Sequence, residues 1–299
     1  MTHRFCVQVD CAVSDMSPTA EKYSDRGIII LPDNYSENGE PTGLVIVCHG
    51  AGGTVTSDDS QTEHQVLAQY LVANGYAVMD VNGLPEQYAE KNAIDLRNNI
   101  GSPIAIRSYV NAYRYCMERF NLKREVFVHG ASMGGISSAN LVLSEKIPVI
   151  AHSAFCPVLD TYNEIFLKPW SDGLPKEAMG KIYGFKIDQA GEYIYDEALV
   201  EGYNPVSAIQ KKQYPVPVKF WHCEDDNVVS CEVTRRFVNA IAERGCVAFL
   251  RTFPNGKHEP QLVGEMVCSP SGNFIYYGNK LYITAAIEEA FAWIRSFDK

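Results

Sequence analysis

Features that would place this 299-residue chain in a membrane or on nucleic acid are missing from its sequence. Nowhere do about 18 apolar residues follow one another, so the sequence predicts no transmembrane helix. The first residues read as a strand and lack the apolar core of a signal peptide, so we expect a cytoplasmic protein. Basic residues are outnumbered, 26 against 36 acidic ones, and the net charge of −10 disfavours a nucleic-acid partner or an anionic membrane surface.

Motifs for metals and cofactors are also missing. The nine cysteines are odd in number, scattered and never arranged as C-x-x-C, which favours reduced thiols over disulfides or a zinc site. Neither the G-x-G-x-x-G dinucleotide pattern nor a glycine-rich loop followed by Lys-Ser/Thr occurs. We therefore expect no cofactor and no metal, and a small molecule as the partner. The oligomeric state stays open.

Strand and helix patterns alternate along most of the chain, which predicts a single α/β domain over residues 1–299 with a mostly parallel sheet covered on both faces. Residues 44–48 form a continuous apolar, β-branched run, the pattern of a strand buried on both faces. Two opening strands with no helix between them predict an antiparallel edge. The predicted strands are 4–9, 26–31, 44–48, 76–81, 126–129, 148–153, 216–222 and 247–253, and the predicted helices are 62–73, 103–120, 136–143, 230–244 and 280–297.

The alternation breaks between residues 157 and 205, where aromatic residues are frequent and no clear strand occurs. A long insertion after a core strand indicates a cap over the carboxyl ends of the sheet. We predict such a cap at 157–205, with Trp170 and Tyr183 lining a substrate pocket. The alternative is a helical excursion packed on the side of the core.

The stretch around Ser132 carries a recognisable chemical motif. The sequence Gly-Ala-Ser-Met-Gly at 130–134 lies between strand formers and helix formers, the context in which G-x-S-x-G forms a nucleophile elbow. A serine on so sharp a turn has a strained backbone, and only small neighbours let the chain segments pass closely enough. The motif alone is equally typical of a glycine-rich turn without catalytic function, so its interpretation depends on partners elsewhere.

A serine hydroxyl becomes a nucleophile when a base removes its proton. After this type of turn the expected chain order is serine, acid, histidine. His258 is the predicted base because it lies in a glycine-containing loop just past the last core strand. His152 and His222 lie in strands or at strand ends, and we interpret them as structural.

The acid that orients the base should follow the strand before that loop. Asp226 is our first choice, because it opens the run Asp-Asn-Val-Val, and the adjacent Asp225 is the second. Asp160 is the third, since it follows a different strand. The carboxylate would hold the imidazole in the right tautomer and stabilise the imidazolium.

Acyl transfer also needs donors for the developing oxyanion. The first predicted donor is the backbone N–H of Met133, which follows the nucleophile. The second should come from the loop after the third strand, His-Gly-Ala-Gly-Gly at 49–53, whose glycines let the backbone turn its amides inward. Ala51 is the first choice for this donor and Gly52 the second.

Together these motifs resemble the α/β-hydrolase superfamily. The resemblance runs from about residue 26 to 293 and rests on 49–53, 130–135, 226–229 and 256–258, which occur in the family's order. Within the superfamily the chain is similar to single-domain carboxylesterases of the dienelactone-hydrolase and feruloyl- or acetyl-esterase type. Prolyl-oligopeptidase-like peptidases share the same catalytic core.

The resemblance implies an α/β-hydrolase fold, an inserted cap and ester hydrolysis through an acyl-enzyme without a cofactor. We therefore expect a serine carboxylic-ester hydrolase whose substrate is a small ester, with aromatic and sugar-linked esters among the candidates. A large N-terminal propeller, usual in the peptidase branch, is not found in the sequence, which favours the esterase. Three alternatives stay open: a peptidase or amidase, an acyltransferase, and a binding protein without catalysis.

Overall fold

The computed structural model describes residues 3–12, 22–56, 60–168, 174–263, 266–268 and 282–298. Its central feature is an eight-stranded sheet with the order β1-β2-β4-β3-β5-β6-β7-β8. The strands are β1 His3–Ala12, β2 Lys22–Leu31, β3 Thr42–Cys48, β4 Ala77–Val81, β5 Leu122–Ala131, β6 Val149–Phe155, β7 Val218–Cys223 and β8 Ala248–Phe253.

The pairing confirms the predicted mostly parallel sheet with an antiparallel edge. The first two strands pair antiparallel with each other, and β2 pairs antiparallel with β4. From β4 across β3, β5, β6 and β7 to β8 every pairing is parallel. The chain crosses from β4 on one side of β3 to β5 on the other, and such a reversal leaves a crevice at the carboxyl ends of the strands, where ligands bind in open α/β sheets.

Helices cover both faces of the sheet, which explains the continuous apolar pattern of β3. Leu44 and Ile46 face one buried cluster, while Val45 and Val47 face the other. The first cluster is covered by α4 Pro103–Arg119, α5 Gly134–Ser144, α7 Pro205–Lys211 and α8 Cys231–Glu243, and the second by α2 Val66–Ala73 and α9 Ala285–Arg295. The remaining helices are α1 Gln61–His64, α3 Glu86–Lys91 and α6 Leu174–Tyr183.

Two predicted helices differ from the observed ones. The helix expected over 62–73 is divided into α1 and α2 at Gln65, whose backbone is extended (ψ 127°). The helix expected over 280–297 begins later, because Thr284 caps α9 by accepting a hydrogen bond from the Ile287 N–H. A small antiparallel pair, β9 Met266–Cys268 and β10 Tyr282–Thr284, precedes it.

The insertion at 157–205 contains a π-helical turn, Thr161–Phe166, followed by α6. Its buried side chains Met179 and Ile182 share a cluster with Met133 and Val229, which adjoin the predicted nucleophile and acid. The insertion therefore packs against the carboxyl ends of β5 and β7. Trp170 lies outside the described residues.

Two further expectations concern the described residues alone. None of the helices that the structure describes combines the length and apolarity that a bilayer crossing requires. Seven of the nine cysteines have described side chains, and all seven are free thiols.

Candidate active site

Ser132 sits on the sharp turn between β5 and α5. Its φ of 53° lies in the left-handed region, which non-glycine residues seldom occupy. Neighbouring backbone holds this conformation, because the Ser132 N–H donates to the Phe155 carbonyl at 3.0 Å and the Ser132 carbonyl accepts from the Val158 N–H at 2.9 Å. The end of β6 thus fixes the turn that ends β5.

The glycines around Ser132 are required by close backbone contacts. A Cβ atom on Gly134 would lie closer than 3.0 Å to the carbonyl oxygen of Cys48, and one on Gly130 would be equally close to Ser138. Gly135 is packed just as tightly against Pro157. The motif therefore lets α5 start directly against the end of β3, which places the helix N-terminus beside the hydroxyl.

Ser132, His258 and Asp226 form one hydrogen-bonded chain. Ser132 Oγ lies 2.8 Å from His258 Nε2, and His258 Nδ1 lies 2.8 Å from Asp226 Oδ2. Both distances are ordinary for hydrogen bonds between side chains. The structure thus brings together three residues that the sequence spreads over three separate loops.

The two adjacent aspartates have different contacts. Asp225 accepts a hydrogen bond from the Lys257 N–H at 2.8 Å and so holds the backbone of the loop that carries His258. Asp226 contacts the imidazole ring itself. Asp160 lies elsewhere, because its carboxylate accepts from the Tyr162 and Asn163 N–H groups and caps the π-helical turn.

Asp226 is surrounded by hydrogen-bond donors. Its Oδ1 accepts from the Val228 N–H at 2.8 Å and the Val229 N–H at 3.0 Å, and its Oδ2 lies 3.1 Å from His222 Nε2 as well as next to His258. Burial alone would raise the pKa of this carboxyl, but the hydrogen bonds from His222, His258 and Val229 outweigh it and hold the pKa well below its usual range. The group is therefore a carboxylate at neutral pH.

The predicted oxyanion loop lies against Ser132. A Cβ on Gly50 would lie 3.3 Å from the Ala131 carbonyl oxygen, which is a tight contact, and 3.4 Å from Ser132 Cβ, which is an ordinary one. His49, the first residue of this loop, is buried, and its Nδ1 lies 2.9 Å from Asp80 Oδ2. Burial would lower the pKa of His49, but the Asp80 carboxylate raises it above its ordinary value. This buried pair ties the start of the loop to β4.

Solved structures with the same fold include enzymes with similar core architecture. An acylaminoacyl peptidase from Pyrococcus horikoshii superposes with a TM-score of 0.61 at 14% identity, over 86% of this chain and 37% of that chain. The fluorophosphonate-binding serine hydrolase FphF of Staphylococcus aureus superposes with a TM-score of 0.57 at 17% identity, over 87% of this chain and 93% of that chain. The chain has the α/β-hydrolase fold.

A puromycin hydrolase gives a TM-score of 0.60 at 17% identity, over 86% of this chain and 36% of that chain. The chain thus spans less than two fifths of this enzyme and of the Pyrococcus peptidase. No protein-family model and no curated protein sequence matches the chain.

In the α/β-hydrolase fold the nucleophile sits at the top of the sheet on the turn after a central strand, followed by the helix whose N-terminus supplies an oxyanion donor. Ser132 occupies that position here, at the end of β5. Met133 comes next, with its side chain buried and α5 beginning at Gly134. Ala51 lines the cavity beside Ser132, and Gly52 next to it has a φ of 83°.

A cavity of about 480 Å³ opens beside Ser132 and His258. Its apolar wall comes from α2, from the end of β6, from the short 3₁₀ turn Pro260–Leu262 and from α9. The residues that form this wall are Val66, Leu67, Phe155, Leu262 and Ile287, and the amide side chains beside them are Gln61, Gln65 and Gln261.

The insertion contributes no described residue to this cavity. Tyr183, a predicted pocket residue, lies in a buried cluster with Met179 and Phe185 instead, because the apolar face of α6 packs against residues that follow the strands, such as Val158. Sequence patterns could not have indicated Leu262 or Ile287, since the short turn and the helix that carry them come together only in the folded protein.

Cys156 is an unpredicted neighbour of the histidine. Its Sγ lies 4.0 Å from His258 Nε2 and lines the cavity, and burial raises the pKa of the thiol well above its ordinary value. Among the described residues, donor atoms of Cys156, Asp226 and His258 lie within 4.8 Å of one another, a spacing that could hold a metal ion. A metal bound there would have to displace hydrogen bonds that His258 makes to Ser132 or Asp226.

The other buried histidines have different partners. On β6, His152 Nε2 lies 2.9 Å from Ser138 Oγ and its Nδ1 lies 2.7 Å from the Tyr214 hydroxyl, so it has a place in the core. On β5, His129 lines the cavity, and burial lowers the pKa of its ring to about 3, which keeps it neutral.

Proposed function

We propose that the protein is a serine hydrolase that cleaves small carboxylic esters through an acyl-enzyme. The observation that carries this proposal is the continuous hydrogen-bonded chain from Ser132 Oγ through His258 to Asp226, with 2.8 Å at each step. A serine on a strained elbow with a histidine in hydrogen-bond reach and a buried carboxylate behind it is the arrangement that activates a hydroxyl.

In the first step Ser132 Oγ forms a bond to the ester carbonyl carbon while its proton passes to His258 Nε2. The carbonyl oxygen becomes an oxyanion, and we assign its donors to the backbone N–H of Met133 and that of Ala51, with Gly52 as the alternative. The C–O bond to the alcohol then breaks, and the alkoxide leaves with the proton from His258. Asp226 stays ionised and stabilises the imidazolium.

In the second step a water molecule attacks the acyl-enzyme. His258 removes a proton from this water, the new C–O bond forms, and the Ser132 Oγ bond breaks as His258 returns the proton to it. The carboxylic acid leaves, and the chain is restored. Every proton in this scheme moves between the substrate, water, Ser132 and His258.

The walls of the cavity support an uncharged substrate of modest size. Its apolar side chains, including Leu67, Phe155 and Ile287, suit a short acyl or alcohol chain rather than an ionised one. The nearby carboxylate of Glu259 and the overall acidic charge would repel anionic esters. We propose that the insertion at 157–205, predicted as a cap, supports the elbow and the loop that carries Asp226 more than it contacts the substrate.

A second candidate is cleavage of amides, since the same machinery serves both bonds. The fold similarity to an acylaminoacyl peptidase and a puromycin hydrolase favours this candidate, although the chain spans less than half of those enzymes. A panel of p-nitrophenyl acyl esters and aminoacyl-naphthylamides distinguishes the two. Faster turnover of the naphthylamides would assign the protein as an amidase.

The proposal is tested by Ser132→Ala on the ester panel, with Ser144→Ala as the matched control. Ser144 Oγ donates to the Leu141 carbonyl at the far end of α5 and takes no part in the site. We expect Ser132→Ala to lower kcat/KM by at least about 10⁴-fold and to abolish labelling by a fluorophosphonate probe, while Ser144→Ala keeps both. Turnover by Ser132→Ala within tenfold of the wild type would refute the mechanism.

A further inference from the structure

Behind the hydrogen-bonded chain lies a second histidine. The His222 side chain is fully buried at the end of β7, and its Nε2 is 3.1 Å from Asp226 Oδ2 and 3.2 Å from the Val229 carbonyl. Its other ring nitrogen, Nδ1, is 3.0 Å from Thr234 Oγ1 on α8. Both nitrogens are therefore engaged within the protein.

These partners determine where the proton of His222 lies. Nε2 faces a carboxylate and a carbonyl, which can only accept, so Nε2 carries the hydrogen. The Thr234 hydroxyl can then donate to Nδ1. This assignment follows from the hydrogen-bond network and makes His222 a donor to Asp226.

Each carboxylate oxygen of Asp226 therefore accepts two hydrogen bonds. Two backbone N–H groups bind Oδ1, while two imidazole N–H groups, from His258 and His222, meet at Oδ2. With His222 absent, Oδ2 would keep a single partner, His258, whose protonation state changes during the reaction. A second, stationary donor keeps the carboxylate in place while His258 gains and loses a proton.

We propose that His222 is a positioning residue, which acts through Asp226 to keep His258 aligned with Ser132. This inference rests on the proposed serine-hydrolase function. Burial alone does not explain the contact, because the ring of His152 is just as buried on the neighbouring strand, and its two nitrogens lie beside the hydroxyls of Ser138 and Tyr214. The sequence interpretation of His222 as purely structural is thereby extended.

Three single variants separate positioning from a merely structural role. His222→Leu removes the donor at similar volume, His222→Gln keeps an N–H in reach of Oδ2, and His152→Leu is the matched control for loss of a buried histidine. Fluorophosphonate titration supplies the concentration of active sites, so that kcat refers to folded protein. The melting temperature of each variant reports its structural cost.

We expect His222→Leu to lower kcat by about 10- to 100-fold, since hydrogen bonds to charged groups are worth that factor, while KM changes less than about threefold. His222→Gln should recover most of the loss. His152→Leu should lower the melting temperature and leave kcat per active site within about twofold. If His222→Leu proves too unstable, Thr234→Val, which removes the hydroxyl that orients the ring, should lower kcat by a few-fold.

The deciding measurement is a double-mutant cycle with Asp226→Asn. If His222 acts through Asp226, His222→Leu should cost less than about threefold in the Asp226→Asn background. The same fold loss in both backgrounds, or equal kcat in His222→Leu and His152→Leu, would overturn the inference. A wild-type protein that neither turns over the esters and amides nor takes the probe would instead refute the proposed function itself.

Discussion

Replacing Asp226 by asparagine exchanges one carboxylate oxygen for an NH₂ group, and the neighbours of the side chain determine the outcome. At present Oδ1 accepts from the Val228 and Val229 N–H groups, and Oδ2 faces the rings of His222 and His258. An asparagine can offer its oxygen to one of these pairs only. The amide nitrogen must face the other pair, where it meets donors.

The backbone pair cannot change, whereas an imidazole can move its proton to the opposite nitrogen. We therefore expect the new NH₂ group to face the rings and to force His258 into the tautomer with the proton on Nε2. That nitrogen lies 2.8 Å from Ser132 Oγ and could then no longer take its proton. In the opposite orientation the NH₂ group would face two buried backbone N–H groups and leave them without an acceptor, which costs about 1 to 3 kcal/mol for each unsatisfied donor.

Loss of the correct tautomer typically lowers kcat by about 10⁴-fold, and we expect this magnitude with little change in KM. The adjacent Asp225→Asn is the matched control, because an asparagine Oδ1 can still accept from the Lys257 N–H. Its kcat should stay within about threefold of the wild type in steady-state assays with p-nitrophenyl esters. If Asp226→Asn retains a tenth of the activity, or if Asp225→Asn is the more damaging variant, the assignment of the acid is refuted.

Two further predictions concern stability. Gly134→Ala should lower the free energy of unfolding in urea by about 3 kcal/mol or more, because its Cβ would meet the carbonyls of Cys48 and His49. The control Gly191→Ala should cost only about 1 to 2 kcal/mol, because Gly191 lies in open space and only its φ of 85° opposes a side chain; equal losses would contradict the packing argument. Burial raises the pKa of Glu164 from 4.5 to about 7 despite hydrogen bonds from backbone N–H groups, so its protonation contributes about 3 kcal/mol that is present below pH 4.5 and lost by about pH 7. Urea unfolding at pH 4.5 and 7 should show that Glu164→Gln loses less stability over this range than the wild type, and parallel curves would contradict the assignment.

Local patterns in the sequence were sufficient to predict the fold. Residues 44–48 read as a strand buried on both faces because each of their side chains meets a helix layer, and the structure confirms this. The parallel sheet and its antiparallel edge follow from where helices do and do not separate the strands. The break at Gln65 was not predictable, because residues 61–65 contain no glycine or proline and the apolar residues at helical spacing all follow the break, within α2.

The candidate site was predictable where its motif imposes a backbone shape. Gly130 and Gly134 mark the elbow, because a side chain at either position would collide with neighbouring atoms. The sequence ranks Asp226 above Asp225 but does not determine which of them faces the histidine, since the direction of adjacent side chains in a loop depends on tertiary contacts. The contact between His222 and Asp226 was missed for the same reason: a histidine at a strand end has no periodic signature.

The cavity beside Ser132 and His258 was the least predictable part of the site. The aromatic residues of the insertion favoured a pocket there, but Tyr183 is buried within the insertion. The cavity wall instead combines Leu67, Leu262 and Ile287, which are far apart along the chain and ordinary in composition. Apolar residues of this kind indicate burial, and the sequence does not distinguish burial in a core from burial against a ligand.

The placement of Ser132, Asp226 and His258 after β5, β7 and β8 has a consequence for how the protein folds. Parallel strands pair across long stretches of chain, and contacts of this kind form late. Helices can regain their circular-dichroism signal before the sheet is complete, but the two 2.8 Å hydrogen bonds require all three strands in register. Recovery of activity after dilution from denaturant therefore counts the molecules that have finished folding.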